Sequence, residues 1–139
     1  MISIALTGGI ACGKSAVSHF MRKKFKAATL DIDDITHQLL LPGNLLFELY
    51  IKHFGQDILN VNGTINRRIV ADIIFNDINE RLWINSCSHS ILLNHARDFL
   101  VDCHASGTRF ALVEVPLLFQ CGWQNLFDRT WLVIIPRWI

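Results

Sequence analysis

The sequence predicts an α/β fold, a mostly parallel sheet with helices on both faces. Three observations carry this. The strand-like segments are short, continuous apolar runs rather than alternating ones, as expected of strands covered on both sides. Longer segments with apolar residues at helical spacing separate them. A turn rich in small residues joins the first run to the first helix, where a doubly covered sheet places its ligand loops.

In chain order, "ISIAL" at 2–6 reads as a buried strand ending at Thr7-Gly8-Gly9. From Lys14 the period changes: Val17, Phe20, Met21 and Phe25 recur at helical spacing, and Arg22, Lys23 and Lys24 close the helix against the negative end of its dipole. "AATLDID" at 27–33 reads as a second strand ending in acids. Residues 34–40 read as a helix stopped by Pro42-Gly43, and residues 45–54 as another with Leu46, Leu49, Tyr50 and Phe54 on one side. "NVNGTINRR" at 60–68 carries an Asn-Gly turn signal. Helices follow at 67–75 and 79–104, the second expected to break near Ser86 to Ser90. "RFALVEVPLLF" at 109–119 reads as a strand ended or turned by Pro116, and "TWLVII" at 130–135 as the last one.

Composition narrows the class. The chain has 139 residues, enough for one domain, and 51% of them are apolar, enough for a real core. A formal net charge of +1 argues against a nucleic-acid groove. Cys12, Cys87, Cys103 and Cys121 have no metal-binding spacing and read as free thiols in a reducing compartment. No run approaches the length of a membrane helix and no signal-peptide pattern opens the chain, so a cytoplasmic protein is expected, with no membrane partner. His37 and His53 read as surface or helix-packing residues; Trp83, Trp123, Trp131 and Trp138 read as core or interface residues.

The stretch Gly8-x-x-x-x-Gly13-Lys14-Ser15 fits the phosphate-loop pattern, with a strand before it and an amphipathic helix after it. Glycines let backbone N–H groups turn toward phosphate oxygens without a Cβ in the way. The helix start aims free N–H groups and the positive dipole end at the same anion. Gly8, Gly9, Ile10, Ala11, Cys12, Gly13, Lys14, Ser15 and Ala16 are therefore the expected phosphate site of a nucleoside triphosphate. Lys14 would reach the β and γ phosphates, and the Ser15 hydroxyl would ligate the Mg²⁺ bridging them. At the end of the second strand, Asp31 and Asp33 alternate with Ile32 and would point the same way if the strand continues. Asp33 would then accept the proton of an attacking hydroxyl near the γ phosphate, with Asp31 acting through water on magnesium. Asp34 is expected to cap the following helix.

"ALTGGIACGKS", "LDIDDITH", "PG", "HFG", "NGTINRR", "IIF", "INSCSHS" and "VEVPLLF" fall in the order and spacing of the dephospho-coenzyme A kinase family, and the resemblance runs from residue 2 to residue 135. It implies a three-layer P-loop domain of the nucleoside-monophosphate-kinase type, with a helical substrate-binding insertion at about 35–88 within one domain spanning 1–139. It implies ATP-dependent phosphorylation of the ribose 3′-hydroxyl of dephospho-coenzyme A. By the same resemblance Asp33 matches the family's base, Lys14 and Ser15 its ATP and magnesium residues, Arg67 and Arg68 its paired arginines near the substrate, and His89 a histidine usually followed by proline. Asp31 is placed with Arg67, Arg68 and His89 as a substrate-side residue.

Ala11, Cys12, Ser90 and Gln120 depart from the family's pattern. The family's lid and last strand have no counterpart here, so "TWLVII" is expected to present an unpaired, association-prone edge. The second expectation is a module that binds ATP without turnover, because closing arginines contribute heavily to phosphoryl transfer. A switch GTPase would need an Asn-Lys-x-Asp segment, which the sequence lacks.

Overall fold

The computed structural model describes residues 1–8, 13–116 and 122–134. Gly9, Ile10, Ala11 and Cys12, with Gln120, Cys121 and Trp138, lie outside the described residues. Two compact units make up the chain: Met1–Asp33 with Leu93–Ile139, and Asp34–Leu92.

The first unit is built on β1 (Ile2–Gly8), β2 (Ala28–Asp31), β3 (Phe110–Glu114) and β4 (Arg129–Val133). All pairings are parallel and the order is β2-β3-β1-β4. The carboxyl ends of all four strands therefore share one edge of the sheet. The register aligns Ile4 with Leu112, Leu6 with Glu114, and Asp31 with Glu114. Paired residues of a parallel ladder share a face. On the face carrying Ile4, Leu6 and Leu112 lies α1 (Lys14–Phe25), whose Met21 joins that core with Val17 packed against it. Ala5, Ala111 and Val113 alternate to the other face and are also buried, so both faces of the two central strands are covered. In α5 (Ile78–Ala105), Leu92, Ala96, Leu100 and Cys103 are buried at three- and four-residue spacing.

Several sequence expectations change here. The buried stripe of α1 is Ser18 and Met21; Phe20 and Phe25 are 54% and 45% exposed and pack edge-on along the rim, Phe25 against Phe110. The β2 strand stops at Asp31 and α2 (Ile32–Leu39) begins at once, so Asp33 belongs to a helix rather than to a strand. β3 ends at Glu114, before Pro116, although the Val115 amide still donates to Leu6 O at 2.8 Å. β4 sits at the sheet edge and is exposed along most of its length, Trp131 included, so it is not a strand covered on both faces. Asp128 ties the start of β4 to β1: its Oδ2 accepts from Ser3 N at 2.8 Å and Ser3 Oγ at 3.2 Å, and its own amide donates to Ser3 Oγ at 3.0 Å.

The second unit holds α3 (Leu45–Phe54), α4 (Arg67–Asn76) and the first half of α5. Leu46 and Tyr50 of α3 meet Ile58 and Val70 in its core, with Leu49, Phe54 and Trp83 packed against them. The Asn-Gly signal forms a tight turn. The Asn60 amide donates to Thr64 O, the Gly63 amide donates back to Asn60 O, and Leu59 bridges Ile65. Gly63 takes φ +85°, a conformation that side chains disfavour. The expected break in α5 is absent. Ser86 Oγ donates to Trp83 O at 3.0 Å, so its hydroxyl is satisfied within the helix instead of opening it.

Candidate functional site

β1 delivers the chain to the carboxyl edge at Gly8, and α1 leaves from Lys14. Gly13 takes φ +93°, the left-handed region, and serves as the N-cap with no side chain to satisfy the helix start. The first turn of α1 contains no acid. Among the described residues no side chain caps the N–H groups of the opening turn, which suits them to an anion, with the positive dipole end behind them. Lys14 is half-buried at this point, while Ser15 and Ala16 are exposed on the first turn. A hydroxyl and an ammonium beside uncapped amides are a donor set that fits a magnesium-bound phosphate.

The acids come from β2 and β3, which pair with each other. Asp31 ends β2, and its Oδ1 accepts from the Asp33 amide at 2.9 Å. Asp31 is thus the N-cap of α2, the position the sequence reading gave to Asp34. The reason is the register: β2 pairs with β3 only as far as Asp31 opposite Glu114, and the backbone turns into a helix directly after that rung. Asp33 and Asp34 stand exposed on the first turn of α2, with Ile32 fully buried beneath them. Asp31 and Asp33 are joined by that capping bond, not by alternation along a strand.

Sequence reasoning missed Glu114. It ends β3, is 8% exposed, and lies on the α1 face beside Asp31. Burial pushes its carboxyl above the usual range. The neighbouring Asp31, as a like charge and a hydrogen-bond partner, pushes it further, against smaller opposing effects of Ser18 and Lys14. The signal was present in "FALVEVPL", where a lone acid interrupts an apolar strand.

The remaining candidates belong to the second unit. Arg67 and Arg68 open α4, where Asn66 Oδ1 caps the helix by accepting from Arg68 N at 3.1 Å and Ile69 N at 3.2 Å. Both arginines are exposed and no acid shares their turn. Two cations at the positive end of a helix dipole are unfavourable unless an anion answers them. The Arg67 guanidinium lies against the His37 ring, Nη1 at 3.1 Å from Nε2 and Nη2 against Nδ1. His53, by contrast, is a packing residue. It stacks on Trp83 with ring centres 3.7 Å apart and bonds Glu80 at 2.6 Å. His89 is half-buried on α5. Among the described residues no group of His, Cys, Asp and Glu is placed to hold a metal by itself. Cys87 and Cys103 are free thiols, and among the described residues no helix is long and apolar enough to cross a membrane.

Comparison with known proteins agrees with this architecture. The chain resembles a crystal structure of TT1252 from Thermus thermophilus, with a TM-score of 0.71 at 25% identity, over 97% of this chain and 66% of that one. The dephospho-CoA kinase of Streptococcus pneumoniae is 38% identical over 135 residues, 96% of this chain and 66% of the relative. That of Carboxydothermus hydrogenoformans is 35% identical over 134 residues, 96% of this chain and 65% of the relative. The chain thus spans about two thirds of the length of the curated relatives it matches. The model of the family described as dephospho-CoA kinase matches residues 2–137. A parallel sheet with an uncapped, lysine-bearing helix start at its carboxyl edge, together with these matches, places the chain in the dephospho-CoA kinase family.

Proposed function

We propose that the chain transfers the terminal phosphoryl group of ATP to the ribose 3′-hydroxyl of dephospho-coenzyme A, giving coenzyme A, the last step of coenzyme A synthesis, in the cytoplasm. The observation that carries this is the convergence of the uncapped α1 start, Lys14 and the acids of β2 and α2 at one edge of a parallel sheet. Gly8 through Ala16 would cradle the phosphates, Lys14 would balance their charge, and Ser15 would hold Mg²⁺. The magnesium ion, when bound, neutralises charge on the phosphate oxygens.

Asp33 would take the proton of the attacking hydroxyl. It is exposed, sits on the first turn of α2, and is oriented by the Asp31 cap. Phosphoryl transfer asks little covalent chemistry of the protein and much positioning. In the Asp34–Leu92 unit, which we assign to the substrate, Arg67 and Arg68 would answer the pyrophosphate of dephospho-coenzyme A. Their place at a helix start without an acid supports that role. His89 on α5 and Asp31 complete the residues assigned to the substrate side.

The test is product formation by the purified 139-residue chain with MgATP, with and without dephospho-coenzyme A. Coenzyme A appearing only when both substrates are present is the expected result. A magnesium-dependent rise in melting temperature with ATP, but no product, would replace this reading with that of a nucleotide-binding module.

A further inference from the structure

Asn62 is the one asparagine of the chain that is followed by glycine. Asparagine is a thermally labile residue, and glycine is the neighbour that protects it least. With no Cβ, the glycine nitrogen can approach the carboxamide carbon. The pair sits at the surface: Asn62 is exposed, and Val61 before it stands fully in solvent. Asn85-Ser86, where the following residue is also small, lies inside α5 and is held by the helix.

The hydrogen bonds of the turn favour attack on the Asn62 carboxamide. Asn62 Oδ1 accepts from Thr64 Oγ1 at 2.7 Å and from the Thr64 amide at 3.2 Å. Asn60 Nδ2 donates to Thr64 Oγ1 at 3.1 Å, which polarises that hydroxyl toward Oδ1. Oδ1 is the atom that takes the negative charge when a nucleophile adds to Cγ. Two donors already face it, as in an oxyanion hole. Among the described residues nothing is bonded to Nδ2, the group that must leave. The Gly63 N–H donates to Asn60 O at 3.0 Å, so one surface bond must open to free the nucleophile, a low-cost event in an exposed turn.

We propose that Asn62 is a site of spontaneous deamidation, with the Thr64 hydroxyl as its oxyanion donor. The Gly63 nitrogen gives its proton to solvent and bonds to Asn62 Cγ. The Cγ–Nδ2 bond breaks, and Nδ2 takes a proton from water and leaves as ammonia. Water then adds to either carbonyl of the succinimide ring and opens it, to aspartate or to isoaspartate. The sum is the hydrolysis of one amide, with no oxidation or reduction. Isoaspartate lengthens the backbone of a turn in which the Asn60 amide and the Thr64 carbonyl meet at 2.7 Å. Two residues further on, Asn66 caps α4.

The test incubates the 139-residue chain at mildly alkaline pH, folded in one sample and unfolded in urea in another. Mass spectrometry of the peptide holding residue 62 reads the acid formed, and isoaspartyl methyltransferase labelling reads the isoaspartate. Acid should accumulate at Asn62 in the folded chain ahead of every other asparagine, at a rate within about tenfold of the unfolded chain. Thr64→Val, which keeps the volume and removes the hydroxyl, should slow it roughly two- to tenfold, the gain when an ordinary hydrogen bond becomes charge-assisted. Thr64→Ser should keep the parent rate. In urea all three chains should react alike, because the fold places the donor. An Asn62 that stays intact in the folded chain while the unfolded chain converts overturns the proposal. So do equal rates in folded Thr64→Val and the parent chain, or a Thr64→Ser chain as slow as Thr64→Val. Should Thr64→Val not fold, Thr64→Ala serves as the variant without a donor, and the parent chain, folded against unfolded, still decides the site.

Discussion

The Asp33 amide donates to Asp31 Oδ1 across 2.9 Å, and that bond marks the point where β2 becomes α2. Replacing Asp31 by Ala should therefore lower stability by about 1 kcal/mol, as for other N-caps. Asp31→Asn, which keeps an acceptor oxygen, should cost only a few tenths. Denaturant unfolding of the two variants decides it; equal losses would mean that the cap does not hold the start of α2.

Lys14 stands half-buried at an uncapped helix start. Lys14→Ala should abolish the rise in melting temperature that MgATP gives the parent chain, because a ligand stabilises only in proportion to its binding. The melting temperature without nucleotide should be unchanged, since no core residue is touched. A normal nucleotide-induced shift in the variant would refute the phosphate-loop assignment.

Asp33 is exposed on the first turn of α2 and packs into no core cluster. Asp33→Asn should leave nucleotide affinity intact and reduce kcat about 100- to 10,000-fold, the usual range for losing a positioned base. Isothermal titration with ATP and single-turnover product formation separate the two effects. Weaker ATP binding with unchanged kcat would move Asp33 from the proton to the nucleotide.

These three residues were identified in the sequence, yet their geometry was only partly legible there. The Gly13-Lys14 start could be read because its local cause is local: a glycine able to adopt φ +93° directly before the helix. The strand-to-helix change at Asp31 could not. "DID" alternates as a strand does, and the fully buried Ile32 fits a strand or a helix equally. What ends β2 is its last rung with β3, a tertiary contact. Glu114 was passed over for the same reason, since its burial beside Asp31 depends on which strand lies next to it. The serines of α5 suggested a break through their propensity, but Ser86 bonds back to its own helix and the helix runs on. The exposure of β4 depends on what pairs with its outer side, which no local pattern encodes.

Asp128 gives the structure an acid-sensitive clip. Ser3 donates to its carboxylate from both backbone and side chain, and these bonds hold the carboxyl below the usual aspartate range. A group whose pKa is lowered by folding stabilises the fold above its unfolded pKa. It loses that contribution as pH falls through the folded value. The stability difference between the parent chain and Asp128→Asn should thus be constant from neutral pH down to about 5 and shrink below about 4. Urea unfolding across that range reads it. A difference that stayed constant into acid would mean that the carboxylate form is not what Ser3 selects.

The last prediction concerns the edge of the sheet. β4 pairs with β1 on one side only, among the described residues. Along it, Trp131 is 38% exposed and Leu132 62%, with Ile134 just beyond at 74%. Trp131 and Leu132 point to opposite faces, so a free row of backbone donors and acceptors is flanked by apolar side chains on both sides. Such an edge is a template for another strand. The 139-residue chain should therefore self-associate with rising concentration, measured by sedimentation velocity. Leu132→Lys should suppress that association, because a charge on an edge strand opposes pairing. It should leave the melting temperature of the dilute chain nearly unchanged, since Leu132 is already mostly in solvent. Self-association that survives Leu132→Lys would locate the contact elsewhere, with the exposed Phe75, Ile78 and Leu82 of the second unit as the next surface to test.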